Sequence, residues 1–178
     1  MRLTLIRLKK KNNNMEKVSK EKMIWKGIFK LTKFENDEAV KNNMPYEEKV
    51  IGENILVNAG INALLTLLAG GGGNAFNNAN SYLGVGDSTT AAGATQTDLQ
   101  AATNKLRKAM NATFPTYGTA QKITFQADFG STDANYDWAE MAVFNASSAG
   151  TMLNRLVSAQ GTKTAGQTWR LTLEITVS

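Results

Sequence analysis

The chain has 178 residues, 42% of them apolar, and a formal charge of +5, with no histidine and no cysteine. Lacking those two residue types, it has no disulfide, thiolate or imidazole ligand, and no Ser-His-Asp or Cys-His nucleophile of its own. Carboxylate chemistry and Ser-Lys pairs stay open, and no run of about 18 apolar residues predicts a membrane-spanning helix.

The charge is segregated. Residues 1–49 hold 13 Lys/Arg and 7 Asp/Glu, whereas residues 50–178 hold 7 and 8. This divides the chain into a basic N-terminal arm, 1–21, and one β-rich domain, 22–178. Met1–Leu8 is too short and too charged for a secretory signal, and no small-residue cleavage site follows, which predicts an intracellular product. Met15 is an alternative start. Arg7, Lys9, Lys10 and Lys11 are the candidate interaction residues. Because Lys9–Asn14 carries no interleaved aromatic, nucleic acid is disfavoured, and a solvated or partner-docking arm is expected.

Met23–Phe34 reads as the first strand, with Trp25, Phe29 and Leu31 on one face and Lys26 and Lys30 on the other. Glu35–Pro45 is polar and reads as a loop. Tyr46–Val57 is a second strand, bulged or bent at Gly52. The period then changes. Ile61, Leu64, Leu65 and Leu68 form one helical stripe over Asn58–Ala69, with Asn58 as N-cap and Gly70 as the stop. The four glycines Gly70–Gly73 have no Lys-Ser/Thr after them, so a phosphate cradle is not expected. Ser81–Asp87 is a short strand whose Gly84-x-Gly86 lacks the third glycine of a dinucleotide fingerprint. Asp87-Ser88-Thr89-Thr90 reads as a turn or cap rather than a metal ligand. Thr97 or Asp98 caps a short helix, Leu99–Thr103. Leu106–Met110 is a strand edged by Lys105, Arg107 and Lys108, and Asn111–Ala120 is a loop.

Lys122–Ser178 organises the rest. Trp169, Leu171, Leu173, Ile175 and Val177 alternate with Arg170, Thr172, Glu174, Thr176 and Ser178, the signature of a strand with one dry face. Ile123, Phe125, Ala127 and Phe129 repeat the pattern, and Tyr136–Asn145 is aromatic and β-prone. Turns at Gly130–Asp133, Ser147–Gly150 and Gly161–Gly166 predict an antiparallel meander. The fold expected is mainly β: an antiparallel β-sandwich or partly open barrel, with one α-helix at about 58–69.

Asp133, Asp137 and Glu140 form the best carboxylate cluster. Asp137 and Glu140, three apart, fall on opposite faces of a regular strand, which argues against a paired acid and base. The expectation is turn residues plus one strand carboxylate bonded to backbone or to Arg155. Trp25, Trp138 and Trp169 sit in alternating apolar strands and read as core anchors rather than a sugar platform. No catalytic residue, metal or cofactor is expected.

An ordered string of short motifs carries a resemblance. Glu53-Asn54-Ile55-Leu56-Val57-Asn58-Ala59-Gly60-Ile61-Asn62-Ala63-Leu64-Leu65 precedes Tyr82-Leu83-Gly84-Val85-Gly86-Asp87. Thr97-Asp98-Leu99 and Ala127-Asp128-Phe129 follow, then Trp138-Ala139-Glu140-Met141-Ala142-Val143-Phe144-Asn145 and Met152-Leu153-Asn154-Arg155. In that order the string resembles small virion proteins of tailed bacteriophages, and is similar to the N-terminal domain of phage tail-collar fibre proteins. Ser88 departs from the family's second glycine, Ala142-Val143 from its Gly-Leu, and no repetitive fibre follows Ser178. The resemblance implies a non-enzymatic virion protein, made in the host cytoplasm, that forms a symmetric homo-oligomer on the tail, collar or fibre-attachment region. Its partners would be copies of itself and neighbouring virion proteins, not a membrane. Capsid decoration is the alternative, and a carbohydrate-binding module, with a host-surface glycan as ligand, the more distant one.

Overall fold

The computed structural model describes residues 23–178. Ten strands and two helices follow in the order β1 (Trp25–Phe34), α1 (Asp37–Lys41), β2 (Glu47–Glu53), β3 (Ile55–Leu56), α2 (Asn58–Leu68), β4 (Tyr82–Gly86), β5 (Lys105–Ala109), β6 (Thr116–Thr119), β7 (Lys122–Phe129), β8 (Asp137–Phe144), β9 (Met152–Thr162) and β10 (Thr168–Val177). They build two antiparallel sheets of five strands, ordered β2-β1-β10-β7-β6 and β3-β9-β8-β4-β5. Among the described residues no barrel closes, and of the two expected architectures the sandwich is the one adopted.

The alternation in β10 puts Trp169, Leu171, Leu173 and Ile175 in the core while Arg170, Thr172 and Glu174 stay half-buried outside. β1 and β7 flank it in register, Phe29 and Phe125 both opposite Leu173 and Leu31 and Ala127 both opposite Leu171. The second sheet closes over them with Leu83, Val85, Met141 and Val143. At the centre Trp138 meets Phe129 and Trp169 edge-on, at centroid distances of 4.7 and 5.0 Å. On the outer face of the first sheet, Arg170 forks onto Asp128 at 2.7 and 2.8 Å, which raises the guanidinium pKa.

Several expectations need correction. The block from Lys122 is not a meander. β7 and β10 pair with each other, and the β8–β9 hairpin between them folds into the opposite sheet. Residues 130–136 and 163–167 are too long for the two-residue turns that keep successive strands side by side, and crossing over covers the aromatic face of β7 and β10. Tyr46–Val57 is not one strand but two. Gly52, at φ 145°, sits at a bulge opposite Phe29 and Lys30, and beyond Asn54 the chain passes to the other sheet as β3. Glu35–Pro45 contains α1, whose N-cap Asn36 accepts from the Ala39 N–H. Asn111–Ala120 contains β6.

The helix α2 forms where expected, but Val57 is its N-cap and Asn58 its first residue. It ends as a Schellman turn: the Gly71 N–H donates to Thr66 O and the Gly70 N–H to Leu67 O, with Gly70 at φ 69°. Its packed face is not the predicted stripe. Gly60 is buried and Leu64 packs on the core, while Leu65 and Leu68 are 58% and 85% exposed. The helix lies so close to β9 that a Cβ on Gly60 would stand 2.4 Å from the Leu153 carbonyl oxygen. That approach fixes which side of the helix faces inward.

Candidate functional site

A third layer covers the outer face of the second sheet. Ala142 and Phe144 of β8 and Met152 of β9 point away from the main core. They pack with Val57 and Leu99 into a smaller core, flanked by Ala59 and Tyr82. The segment between β4 and β5, residues 87–104, lies over β8, and two glycines of β4 make room for it. A Cβ at Gly86 would fall 2.5 Å from Glu140 Oε1, and one at Gly84 would fall 2.7 Å from the Phe144 ring. The Gly84-x-Gly86 spacing therefore serves packing.

Under this layer Glu140 and Arg155 are both fully buried. Glu140 lies on the same side of β8 as Ala142 and Phe144, whereas Trp138, beyond a register shift between β8 and β9, faces the main core. Arg155 Nε and Nη2 lie 2.8 and 2.7 Å from Glu140 Oε2. The same carboxylate accepts the backbone N–H groups of Gln100 at 2.9 Å and Ala101 at 2.8 Å. Arg155 also donates to Gln96 Oε1 at 2.9 Å and to the Thr90 carbonyl at 3.0 Å. These bonds replace the predicted helix Leu99–Thr103: the N–H groups a helix would turn inward go to Glu140 instead. Asp98 completes the clamp, accepting from Arg107 and the Leu99 N–H at 2.8 Å and from Lys105 at 3.2 Å. Burial raises the Asp98 pKa, but Arg107, the Leu99 N–H and Lys105 outweigh it and hold the carboxyl below the ordinary aspartate value.

The expected partner of a strand carboxylate, Arg155, is thus the one found. A general base needs a lone pair that a substrate can reach. Those of Glu140 are sealed from water and already committed to Arg155 and to two backbone N–H groups, so the pair acts as a brace that fastens residues 90–101 to the sheet. The other two carboxylates do not join it. Asp133 accepts from Lys108 at 2.5 Å and from the Gly130 N–H at 2.9 Å, whereas exposed Asp137 accepts from the Thr162 hydroxyl. Among the described residues no group of three acidic side chains could hold a metal ion. The Ser88 hydroxyl accepts the Thr90 N–H, the turn role expected of it. Trp138 and Trp169 are core residues, and half-buried Trp25 packs against the far end of the same core, beside Ile175 and Val177. Lys163 is buried too, donating at 2.7 Å to Gly130 O and Asn135 Oδ1, and burial lowers its pKa.

Arg7, Lys9, Lys10 and Lys11 lie outside the described residues. What the sequence reading missed is the surface. Exposed Met23, Ile24 and Tyr117 lie on or next to β1 and β6, and exposed Met44, Tyr46 and Val50 on or next to β2. The fully exposed β6 was read as loop because Thr-Tyr-Gly-Thr is too short to show a period.

No family model, curated protein or solved structure matches the chain. The motif order therefore stands on its own geometry. Gly60 rests on Leu153, and the Val57 N–H donates to Leu153 O at 3.1 Å. Gly84 and Gly86 face Phe144 and Glu140, Leu99 joins the small core, and Arg155 closes on Glu140. Ala127–Phe129 belongs to the main core, but the other motif blocks meet in this third layer.

Proposed function

We propose that this chain is a non-enzymatic structural component of a tailed phage particle, assembling as a symmetric homo-oligomer on the tail, collar or fibre-attachment region. One observation carries the reading: all but one of the motif blocks spread from Glu53 to Arg155 contribute to a single buried layer. An order of weak motifs that closes into one packed unit reads as a shared fold rather than a coincidence of composition. The chemistry fits. The carboxylate the motifs enclose is a brace, and the exposed groups are strand edges and apolar side chains, which serve contact. A small domain repeated about a symmetry axis multiplies such contacts. The basic N-terminal arm would order on a neighbouring subunit or adjoining protein, contacts offsetting its loss of entropy.

Electron microscopy of purified particles carrying labelled protein tests this. Label in a few symmetric copies at the tail or collar is the expected result. Label spread over the head lattice would favour capsid decoration, and particles without label would overturn the proposal.

A further inference from the structure

A sheet edge offers unpaired N–H and C=O groups to any passing strand, and proteins usually guard it with charge. The described edges are guarded unequally. β2 carries Glu47, Glu48, Lys49 and Glu53, β5 carries Lys105, Arg107 and Lys108, and β3 is two residues long. β6 reads Thr116-Tyr117-Gly118-Thr119, without a charge, exposed throughout, with Tyr117 73% exposed. Its protection is its shortness and a bulge between Tyr117 and Thr119. Beside it Trp25, Ile123, Ile175, Val177 and the 118–121 turn line an open groove of about 460 Å³. Trp25 Nε1 is buried with no hydrogen-bond partner.

The described chain begins at the rim of this groove, where Trp25 lines it and Met23 and Ile24 are exposed. Ile24 and Ser178 exchange backbone hydrogen bonds at 2.6 and 3.0 Å, continuing the β1–β10 ladder to its end. The described residues therefore begin at the end of the β1–β10 ladder. The β6 edge lies three strand spacings to the side, about 14 Å. A segment from the same chain would have to turn back across β10 and β7 to reach it, whereas one from an adjacent copy need not. The 22 residues before Met23 hold Leu3, Leu5, Ile6 and Leu8 at their far end. Leu8 is fifteen residues from Met23, about 50 Å of extended chain, far enough to reach a neighbouring molecule.

We propose that Leu3–Leu8 of a neighbouring copy adds to the β6 edge and fills the groove beside it, extending the β2-β1-β10-β7-β6 sheet by one strand across the subunit boundary. Backbone ladder bonds supply the attachment, alternate apolar side chains enter the groove, and Lys9–Lys11 stay in water. The contact is head-to-tail, so repetition closes a ring where the rotation allows. It deepens the homo-oligomer reading above and rests on it.

The chain has no cysteine, so two introduced cysteines report on each other alone. Full-length Leu5→Cys and Thr119→Cys variants are mixed and oxidised by dissolved oxygen. The expected product is a mixed disulfide between the two variants, lost when Leu3→Asp and Ile6→Asp are added, and absent when Glu48→Cys on β2 replaces Thr119→Cys. Dimers of Thr119→Cys with itself would mean that β6 edges pair with each other, overturning the proposal. So would a disulfide formed only within one chain carrying both cysteines, or equal trapping at β2. Sedimentation of the wild-type chain separates the two levels. A monomer removes the homo-oligomer reading and this contact together, whereas an oligomer that fails to trap removes this contact alone.

Discussion

The layer around Glu140 and the groove beside β6 spend their residues in opposite ways. In the first, glycines remove every spare ångström, the ion pair is saturated with N–H donors, and the apolar groups are sealed. In the second, a strand edge is bare, a tryptophan N–H lacks an acceptor, and an exposed tyrosine stands beside open apolar surface. Saturation makes a region sensitive to substitution within its own chain. Openness makes a region indifferent to the same treatment until a second chain arrives.

The largest effect belongs to the saturated region. Arg155→Met leaves the Glu140 carboxylate buried and unpaired, so urea unfolding should show a loss of about 3–5 kcal/mol. The double variant Glu140→Leu with Arg155→Met removes both charges and should recover most of that loss, because desolvating the pair costs nearly as much as its attraction returns. A double variant as unstable as the single one would mean that the backbone N–H groups of Gln100 and Ala101, rather than Arg155, dominate.

Next come the glycines that set the spacing. Gly60→Ala presses a methyl group onto the Leu153 carbonyl, which is backbone and cannot swing aside. A loss of about 1–3 kcal/mol follows from such overpacking. At Gly93, in the segment that covers β8, an added Cβ would lie 3.7 Å from Gln96, an ordinary contact, so Gly93→Ala should unfold close to wild type. Equal effects at the two positions would show that the close approach of α2 to β9 is not what matters.

How far the sequence announces these features depends on how local their causes are. The strict alternation in β10 and β7 was legible, because a period of two depends only on which face is dry. So were the Glu140–Arg155 contact and the core role of Trp138. The crossing of β8 and β9 into the other sheet was not, since strand pairing depends on loop lengths and on which apolar face still needs a cover. The stripe of α2 was misassigned because Ile61, Leu64, Leu65 and Leu68 outweigh Gly60 by hydrophobicity, although it is the absence of a side chain at Gly60 that allows contact. The segment Leu99–Thr103 was read as helix because its partner, Glu140, lies about forty residues away in sequence.

A smaller effect should appear in acid. The Asp98 pKa is lowered in the folded chain by Arg107, the Leu99 N–H and Lys105 against the pull of burial. A lowered folded value adds stability above the unfolded aspartate pKa and loses it as pH falls through the folded one. The unfolding midpoint should therefore drop below about pH 4, the ordinary aspartate range, and Asp98→Asn should flatten that drop. Since the Asp98 side chain is 42% exposed, the change is modest. A profile identical in the variant would place the acid sensitivity on other carboxylates.

The smallest effect on the isolated chain, and the sharpest contrast with the brace, is expected at Tyr117. Its side chain is largely in water, so Tyr117→Lys should move unfolding by no more than about 0.5 kcal/mol. Leu68→Lys, on the exposed side of α2, should do the same. The two variants part company in assembly. A lysine on β6 puts a charge on this uncharged edge and should shift sedimentation toward the monomer, whereas a lysine on α2 should leave it unchanged. Were Leu68→Lys the variant that dissociates the oligomer, the contact would run through the helix, and the bare edge of β6 would owe its exposure to its bulge and shortness alone.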